Sequence, residues 1–393
     1  MSTLSLDHIL KRGVAEIISE ESMRRRLQAG KPLRLKMGFD PSKPDLHVGH
    51  AVGMRKLRQL QDLGHTVVLV VGDWTAQIGD PSGRDESRVM LTHDMVKVNA
   101  QTYMDQFFVV VDQSKTEVRW QSEWFGKFKL EDVFNLTSRF TLANMLEHET
   151  FEKRFKEGKA LSLMELMYPL LQAYDSIAID ADVEFGGMDQ KFNILAGRQL
   201  QGMLGKTPQE VFLVPLLVGT DGRKMSKSFG NTIDVRAAPS DMYGKVMSLV
   251  DSVLIEYYRL VTDVPDADIA DMQSAMASGS VNPRDLKMRL AREIITQLYD
   301  ANIANDAQAE FVKVFQQREL PTDMPSFAMT SALPIIDLMV AAKTVESRGE
   351  ARRLIEQRGV RLDDVVIEKI DAQIPAQTAV LRVGRRKFVQ LTP

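Results

Sequence analysis

The sequence predicts an α/β protein built on a doubly wound parallel sheet, and two observations carry that reading. Four short apolar runs have strand character: "LRLKMGF" (33–39), "TVVLVVGD" (66–73), "DVEFGG" (182–187) and "VFLVPLLVG" (211–219), with helical patterns following or separating them. The first two are joined by "LHVGHAVGMRKLRQLQDLG", where Leu57, Leu60 and Leu63 share one helical face and Gly64 supplies the stop. Strand, helix, strand over that length is a βαβ unit, and such units wind into parallel sheets.

The other elements follow in order. The opening "MSTLSLDHILKRGVAEIISEESMRRRL" reads as an amphipathic helix, with acidic residues that a signal peptide lacks. Residues from about 84 to 165 are mostly helical in pattern and read as an insertion in a Rossmann-like sheet domain spanning 1–233. From 234 to 320 the pattern is all helical, as in "NPRDLKMRLAREIITQLYD". Three prolines in "RELPTDMPSFAMTSALP" interrupt every periodicity, so 321–332 reads as a linker. The last stretch, 333–393, has the pattern of a small α+β unit, two helices and then the hairpin "TAVLRVGRRKFVQL".

A chain of 393 residues has room for two or three domains. A formal net charge of −3 argues against a protein coated in nucleic acid but leaves room for a local basic patch. With Cys 0 there is no disulfide, thiolate metal site or cysteine nucleophile. No apolar run reaches the roughly 18 residues needed to span a bilayer. The expected setting is cytoplasmic, without a membrane partner and without a bound structural metal.

Ligands of doubly wound sheets bind beyond the carboxyl ends of the strands. Here "DPSKPDLHVGH", "GDPSGR", "GGMDQ" and "GTDGRKMSKS" each follow a strand candidate. In "HVGH", His47 and His50 bracket Gly49 at a helix start, where unpaired N–H groups and a partial positive charge suit phosphate. Taken alone, HxxH is as well read as two surface histidines at a helix cap. Lys224 and Lys227 of "KMSKS" supply ammonium groups that could meet the charge developing on a departing pyrophosphate. Either motif alone has a bland reading as a solvated basic loop; the pair, each member after a strand, points to nucleotide chemistry.

The two motifs resemble the signatures of class I aminoacyl-tRNA synthetases. With "GFDPSKPDLHVGH", "IGDPSGR", "YPLLQAYDS" and "GGMDQKFN", the resemblance runs over nearly the whole chain and is closest to the bacterial tyrosyl type. It implies a homodimer that uses ATP with Mg2+, L-tyrosine and a tyrosine-specific tRNA. It implies a catalytic sheet domain, a helical domain on the anticodon side and a small RNA-binding domain. By the same resemblance Asp80, Tyr168 and Gln172 would hold the α-ammonium of tyrosine, with Asp40 beside them. Asp175 would accept from the phenol, and Gln190 would orient the carboxylate. Tyr168, Gln172 and Asp175 stand at i, i+4 and i+7, so one helix face can present all three. Gly49 and Gly187 would let the nucleotide approach the backbone, and Asp189 would accept from the ribose. Ser42 would touch the γ-phosphate, while Arg84 and Arg88 would cover the pyrophosphate. One position departs from the better-known branch, which has a tyrosine before "MGFD": here it is Lys36, whose role the sequence leaves open.

On the RNA side the tail gathers Arg348, Arg352, Arg353, Arg358, Arg361, Arg385, Arg386 and Lys387. Arg348 and Arg352 lie one helical turn apart, Gly359 is expected at the helix end, and "VGRRKFV" puts charge at a hairpin turn. Glu350, Glu356, Asp363 and Asp364 dilute that patch, so a merely soluble charged domain stays in view. Three rivals remain: a tryptophan-specific sister enzyme, another HxGH nucleotidyl transferase, and a synthetase-derived RNA-binding protein without catalysis.

Overall fold

The computed structural model describes residues 5–41, 46–82, 92–225, 229–315, 324–384 and 387–393. The chain packs as two units, Met1–Ala237 with Ser248–Asp300, and Ala238–Met247 with Ala301–Pro393. Ser42, Arg84, Arg88, Lys227, Arg385 and Arg386 lie outside the described residues.

The first unit holds a sheet of β1 (Glu16–Ile18), β2 (Arg34–Phe39), β3 (Thr66–Val71), β4 (Thr116–Trp120), β5 (Val183–Gly187) and β6 (Glu210–Val214). Their order is β1-β6-β5-β2-β3-β4. Every neighbouring pair is parallel except β1, which runs antiparallel along β6. The four strands read from the sequence are β2, β3, β5 and β6. β3 and β6 are almost continuously buried, as strands covered by helices on both faces must be. Strand order reverses between β2 and β5, and a crevice opens at their carboxyl ends.

β4 is a strand that the mostly helical reading of 84–165 did not name. "TEVRW" is only partly buried and forms the outer edge of the sheet, paired with β3 from Val67–Thr116 to Val71–Trp120. Polar alternation on an edge strand leaves no apolar run to see.

Between β2 and β3 runs the helix Val48–Asp62, with Leu57 and Leu60 buried. Leu63, expected on the same face, is instead its C-cap and 40% exposed; Gly64 follows at φ +96°, a conformation that glycine adopts without steric cost. The helix Leu163–Ala178 packs along Lys191–Met203, and with β3 they share a core through Val68, Leu170, Ala173 and Leu200. The helices of 254–298 belong to this unit too. Arg12 donates to the carbonyls of Tyr258, Arg259, Thr262 and Val264, satisfying groups left open at the end of helix Leu254–Val261.

In the second unit the helix Pro239–Met247 packs on Ala301–Phe315, with the Tyr243 and Phe311 rings 5.1 Å apart. The helical stretch expected as one body over 234–320 therefore divides between the units. The tail contains β7 (Ser326–Ala328), β8 (Leu333–Pro334), β9 (Val360–Leu362), β10 (Val365–Val366), β11 (Gln373–Ile374), β12 (Ala379–Val383) and β13 (Lys387–Thr392). Five of these form a sheet, β10-β9-β12-β13-β7, while β11 pairs with β8. β7 falls inside the stretch read as linker, because its parallel ladder to β13 is made by backbone groups that composition does not reveal. Two helices, Ile335–Ala341 and Arg348–Glu356, bury Ile336, Leu338, Ala351 and Ile355 in this tail's own core. The second helix ends with Arg358, not Gly359, in the left-handed region (φ +55°). Gly359 is needed for another reason: a Cβ there would lie 3.2 Å from the Leu354 carbonyl oxygen.

Candidate active site

A cavity of about 500 Å3 opens where β2 and β5 end. Every described residue assigned above to the nucleotide or the amino acid lines it. His47 is the N-cap of the helix after β2, and its N–H donates to His50 Nδ1 at 3.3 Å. With Nδ1 accepting, the proton of a neutral His50 ring sits on Nε2.

The lysine motif meets the histidine motif through the backbone. Beyond "KMSKS", the chain returns so that Val48 N–H donates to Ile233 O and Val235 N–H donates to Leu46 O, both at 2.9 Å, with His47 bridged to Asp234. Lys224 and Met225 line the cavity beside the helix start. Gly49 is the point of closest approach: a Cβ there would lie 2.9 Å from His47 Nδ1 and 3.4 Å from Met225 Sδ. The base of the lysine loop is tied down. Asn231 Nδ2 donates to Asp221 at 2.8 Å and to Lys224 O at 3.2 Å, and the Arg223 guanidinium lies 4.7 Å over Phe229. Hydrogen bonds from Asn231 and Arg223 hold the Asp221 carboxyl down at about 2.

At the other end the cavity is rich in acceptors. Tyr168 OH donates to Asp40 Oδ2 at 2.9 Å, and Thr75 Oγ1 donates to Asp40 Oδ1 at 2.7 Å. Gly72 allows that contact, since a Cβ would come within 2.4 Å of both oxygens. Asp175 is buried and accepts from Gln121 Nε2 (2.8 Å) and Trp124 Nε1 (3.1 Å). Burial pushes its carboxyl up to about 7, while Lys36 and the two donors pull the other way. Burial, followed by the charges of Asp40 and Asp80, also raises the Tyr168 phenol well above its ordinary value, so it remains a donor. Asp80 accepts from Gln190 Nε2 at 2.7 Å and from Ser82 N–H at 2.8 Å. Asp189 is raised by burial and by Asp80, with Lys224 opposing. Gly187 leaves room for that carboxylate, its Cβ position being 2.6 Å from Asp189 Oδ1.

Sequence reasoning passed over Gly72, Thr75, Gln121 and Trp124. Gln121 accepts from Thr75 N–H and Trp74 N–H while donating to Asp175, so it ties the end of β3 to the pocket floor. The available signal was the strand-end rule, which could not apply while β4 went unnamed. Lys36 does not line the cavity; its ammonium is buried against Glu184 at 3.0 Å.

Of the basic tail residues named above, Arg348, Arg352, Arg353, Arg358, Arg361 and Lys387 are exposed. Arg348 pairs with Asp337, Arg358 with Glu368 at 3.0 Å, and Arg361 donates to Asp364 O at 3.0 Å. Lys387 donates to Thr344 O at 2.7 Å, while Arg352 and Arg353 project from the helix Arg348–Glu356. Among the described residues no group of three or more acidic or histidine side chains could hold a metal ion, and no helix is long and apolar enough to cross a membrane.

A phosphate-suited helix start and a lysine loop, facing a carboxylate-lined pocket across one sheet crevice, are the parts of an enzyme that activates a carboxylic acid with a nucleotide. Residues 28–316 match the family described as tRNA synthetases class I (W and Y), and the chain belongs to that family. A tyrosine–tRNA ligase of Dehalococcoides mccartyi is 54% identical over 386 residues, covering 98% of this chain and 97% of that one. Another, from Thermotoga maritima, is 49% identical over 386 residues, 98% and 96% of the two chains. Among solved structures, a truncated mitochondrial tyrosyl-tRNA synthetase of Aspergillus nidulans aligns at a TM-score of 0.65 and 21% identity, over 79% of this chain and 93% of that one. The Archaeoglobus fulgidus tyrosyl-tRNA synthetase complexed with L-tyrosine gives 0.62 and 22%, over 77% and 98%. At these identities the structural likeness speaks for the fold.

Proposed function

We propose that the chain is a tyrosine–tRNA ligase. A carboxylate oxygen of L-tyrosine attacks the α-phosphorus of ATP, the bond from that phosphorus to the bridging oxygen breaks, and pyrophosphate leaves tyrosyl-adenylate behind. A hydroxyl of the 3′-terminal ribose of the tRNA then attacks the tyrosyl carbonyl, releasing AMP and a proton. The carrying observation is Asp175, a buried carboxylate held by Gln121 and Trp124 at the far end of a cavity whose mouth carries His47, His50 and Lys224.

In this reading no protein nucleophile is needed, and catalysis is positioning with charge stabilisation. His47, His50 and Lys224 face the phosphates, and the resemblance assigns Lys227, Ser42, Arg84 and Arg88 to them as well. Asp40, Asp80, Tyr168, Gln172 and Gln190 hold the amino acid, and Gly49, Gly187 and Asp189 seat the nucleoside. Mg2+ enters with ATP as part of the substrate. A buried acceptor that phenylalanine leaves unpaired rejects it by about 10^4–10^5-fold, a rule for which tyrosine-specific synthetases are themselves the standard illustration.

Five large apolar side chains stand exposed over 130–163: Leu130 at 66%, Phe134 at 61%, Leu142 at 57%, Phe155 at 61% and Leu163 at 81%. A second copy of the chain is the occupant that fits the homodimer reading. The exposed tail arginines suit a tRNA backbone, read by charge and shape. We place the reaction in the cytoplasm. ATP–pyrophosphate exchange run in parallel with tyrosine, tryptophan and phenylalanine tests the proposal: exchange with tyrosine alone supports it, and a preference for tryptophan sinks it.

A further inference from the structure

Lys36 and Glu184 are register partners on β2 and β5, the strands that flank the crevice. Their side chains are 0% and 1% exposed, with Nζ 3.0 Å from Oε1. The ammonium also donates to Gln172 O at 2.7 Å and to Ser176 Oγ at 2.8 Å, so its three hydrogens are matched. Glu184 accepts as fully. Gln172 Nε2 reaches Oε1 at 3.0 Å, and Ser176 Oγ and Gln209 Nε2 reach Oε2 at 3.1 and 2.5 Å. The facing helix leaves space for this network at Gly197, where a Cβ would lie 2.8 Å from Gln209 Nε2 and 3.1 Å from Ser176 Oγ.

None of Lys36, Glu184, Ser176 and Gln209 lines the cavity, whereas Gln172 and Asp175 do. Stability alone is a weak reason for such a pair, because apolar residues of similar volume often serve as well or better. Orientation is a stronger one. An ionised carboxylate only accepts, so Gln172 must turn its amide nitrogen to Glu184 and leave its carbonyl oxygen for the cavity. The Lys36 backbone contact fixes the same residue from the main-chain side.

We propose that Lys36 and Glu184 are a positioning pair for the amino-acid substrate: together they lock Gln172 with its oxygen toward the α-ammonium and set a positive charge behind Asp175. The inference rests on the tyrosine reading given above and deepens it. In Asp175 itself burial raises the carboxyl, Lys36 opposes that rise and Glu184 adds to it, so the lysine favours the anionic acceptor that a phenol requires. Lys36 thus stands at the position where the better-known branch has a tyrosine, and with Glu184 it acts from behind the wall rather than through it.

The test compares the full-length chain with Lys36→Met/Glu184→Met and with Glu184→Gln, measuring tyrosine-dependent pyrophosphate exchange and urea midpoints. The double variant is expected to keep its unfolding midpoint, to raise KM for tyrosine about 10- to 100-fold, and to leave KM for ATP within about twofold. Preference for tyrosine over phenylalanine should fall with it. A folded double variant whose KM for tyrosine stays within about twofold of the parent overturns the proposal and makes the pair a packing device. Should the double variant not fold, Glu184→Gln decides, since it keeps the side-chain volume: a raised KM for tyrosine supports the pair and an unchanged one overturns it. Exchange by the parent chain with tryptophan in place of tyrosine would overturn the substrate reading instead, and the same variants assayed with tryptophan would still judge the pair.

Discussion

Asp175→Asn is expected to change the pH dependence of stability as well as activity. Burial has moved this carboxyl from 3.8 up to about 7 in the folded chain. A raised acid favours the protonated form in the fold, so its contribution is fully present below the unfolded value and is lost as pH rises through about 7. Between pH 5 and pH 7 the parent loses about 1.4 kcal/mol per unit on this group, or about 3 kcal/mol in all. Asparagine does not titrate. The stability difference should therefore swing by about 3 kcal/mol in the variant's favour from pH 5 to pH 8. A constant penalty of about 1–3 kcal/mol is superimposed, because Gln121 and Trp124 both donate into the carboxylate and asparagine has one carbonyl oxygen to offer. That penalty shifts the curve without altering its slope. Urea unfolding followed by tryptophan fluorescence measures it, since the three tryptophans, Trp74, Trp120 and Trp124, all lie in the first unit. A difference that stays flat from pH 5 to pH 8 would refute the claim that burial raises this carboxyl in the folded chain. The same variant should accept phenylalanine nearly as well as tyrosine.

Gly49→Ala should displace the His47 ring, which lies 2.9 Å from the new methyl position, and lower kcat/KM for ATP about 100-fold with tyrosine affinity little changed. Lys224→Ala should slow pyrophosphate exchange about 10^2–10^3-fold while leaving tyrosine binding, measured by equilibrium dialysis, near the parent value. Leu163→Glu, at a side chain 81% exposed, should halve the mass seen in sedimentation without moving the unfolding midpoint. Replacing Arg352 and Arg353 together by alanine should raise KM for tRNA and flatten its salt dependence, with amino-acid activation untouched.

Much of the sheet was legible because its inner strands are continuous apolar runs bounded by glycine and aspartate, and because residues at their carboxyl ends have little structural reason to be His, Asp or Lys in glycine-rich turns. The motifs of His47 and Lys224 were singled out that way, while the roles of Asp80 and Asp189 came with the resemblance to class I synthetases. The rest was hidden for identifiable reasons. Gln121 and Trp124 follow an edge strand whose alternation, Glu117 and Arg119 among them, resembles surface sequence. Thr75 and Gly72 matter only through what they touch, and nothing in their spacing announces a contact with Asp40. Lys36 reads in sequence as a misplaced charge in a buried strand. Its partner lies 148 positions away, and only the register of two parallel strands brings them face to face.

One rule runs through the whole amino-acid end of the cavity. Four glutamines surround it or support it, and each turns its amide nitrogen to a carboxylate: Gln121 to Asp175, Gln172 and Gln209 to Glu184, Gln190 to Asp80. An ionised carboxylate cannot donate, which leaves Gln172, Gln190 and Gln209 one useful orientation, while Gln121 is fixed by the Trp74 and Thr75 N–H groups that its oxygen accepts from. The amide oxygens are then sent in fixed directions, Gln121 toward the Thr75 backbone and Gln190 toward Asn193. Buried negative charge that is costly as stability thus serves as orientation, because it fixes where acceptors stand before any ligand arrives. The nucleotide end is built the opposite way, from histidines, a lysine and the start of the helix Val48–Asp62. Tyrosine carries a phenol at one end and, at the other, an ammonium donor and a carboxylate on the same carbon. It fits this division of charge in one direction only, with its own carboxylate turned toward the phosphates, which is the geometry that an in-line attack requires.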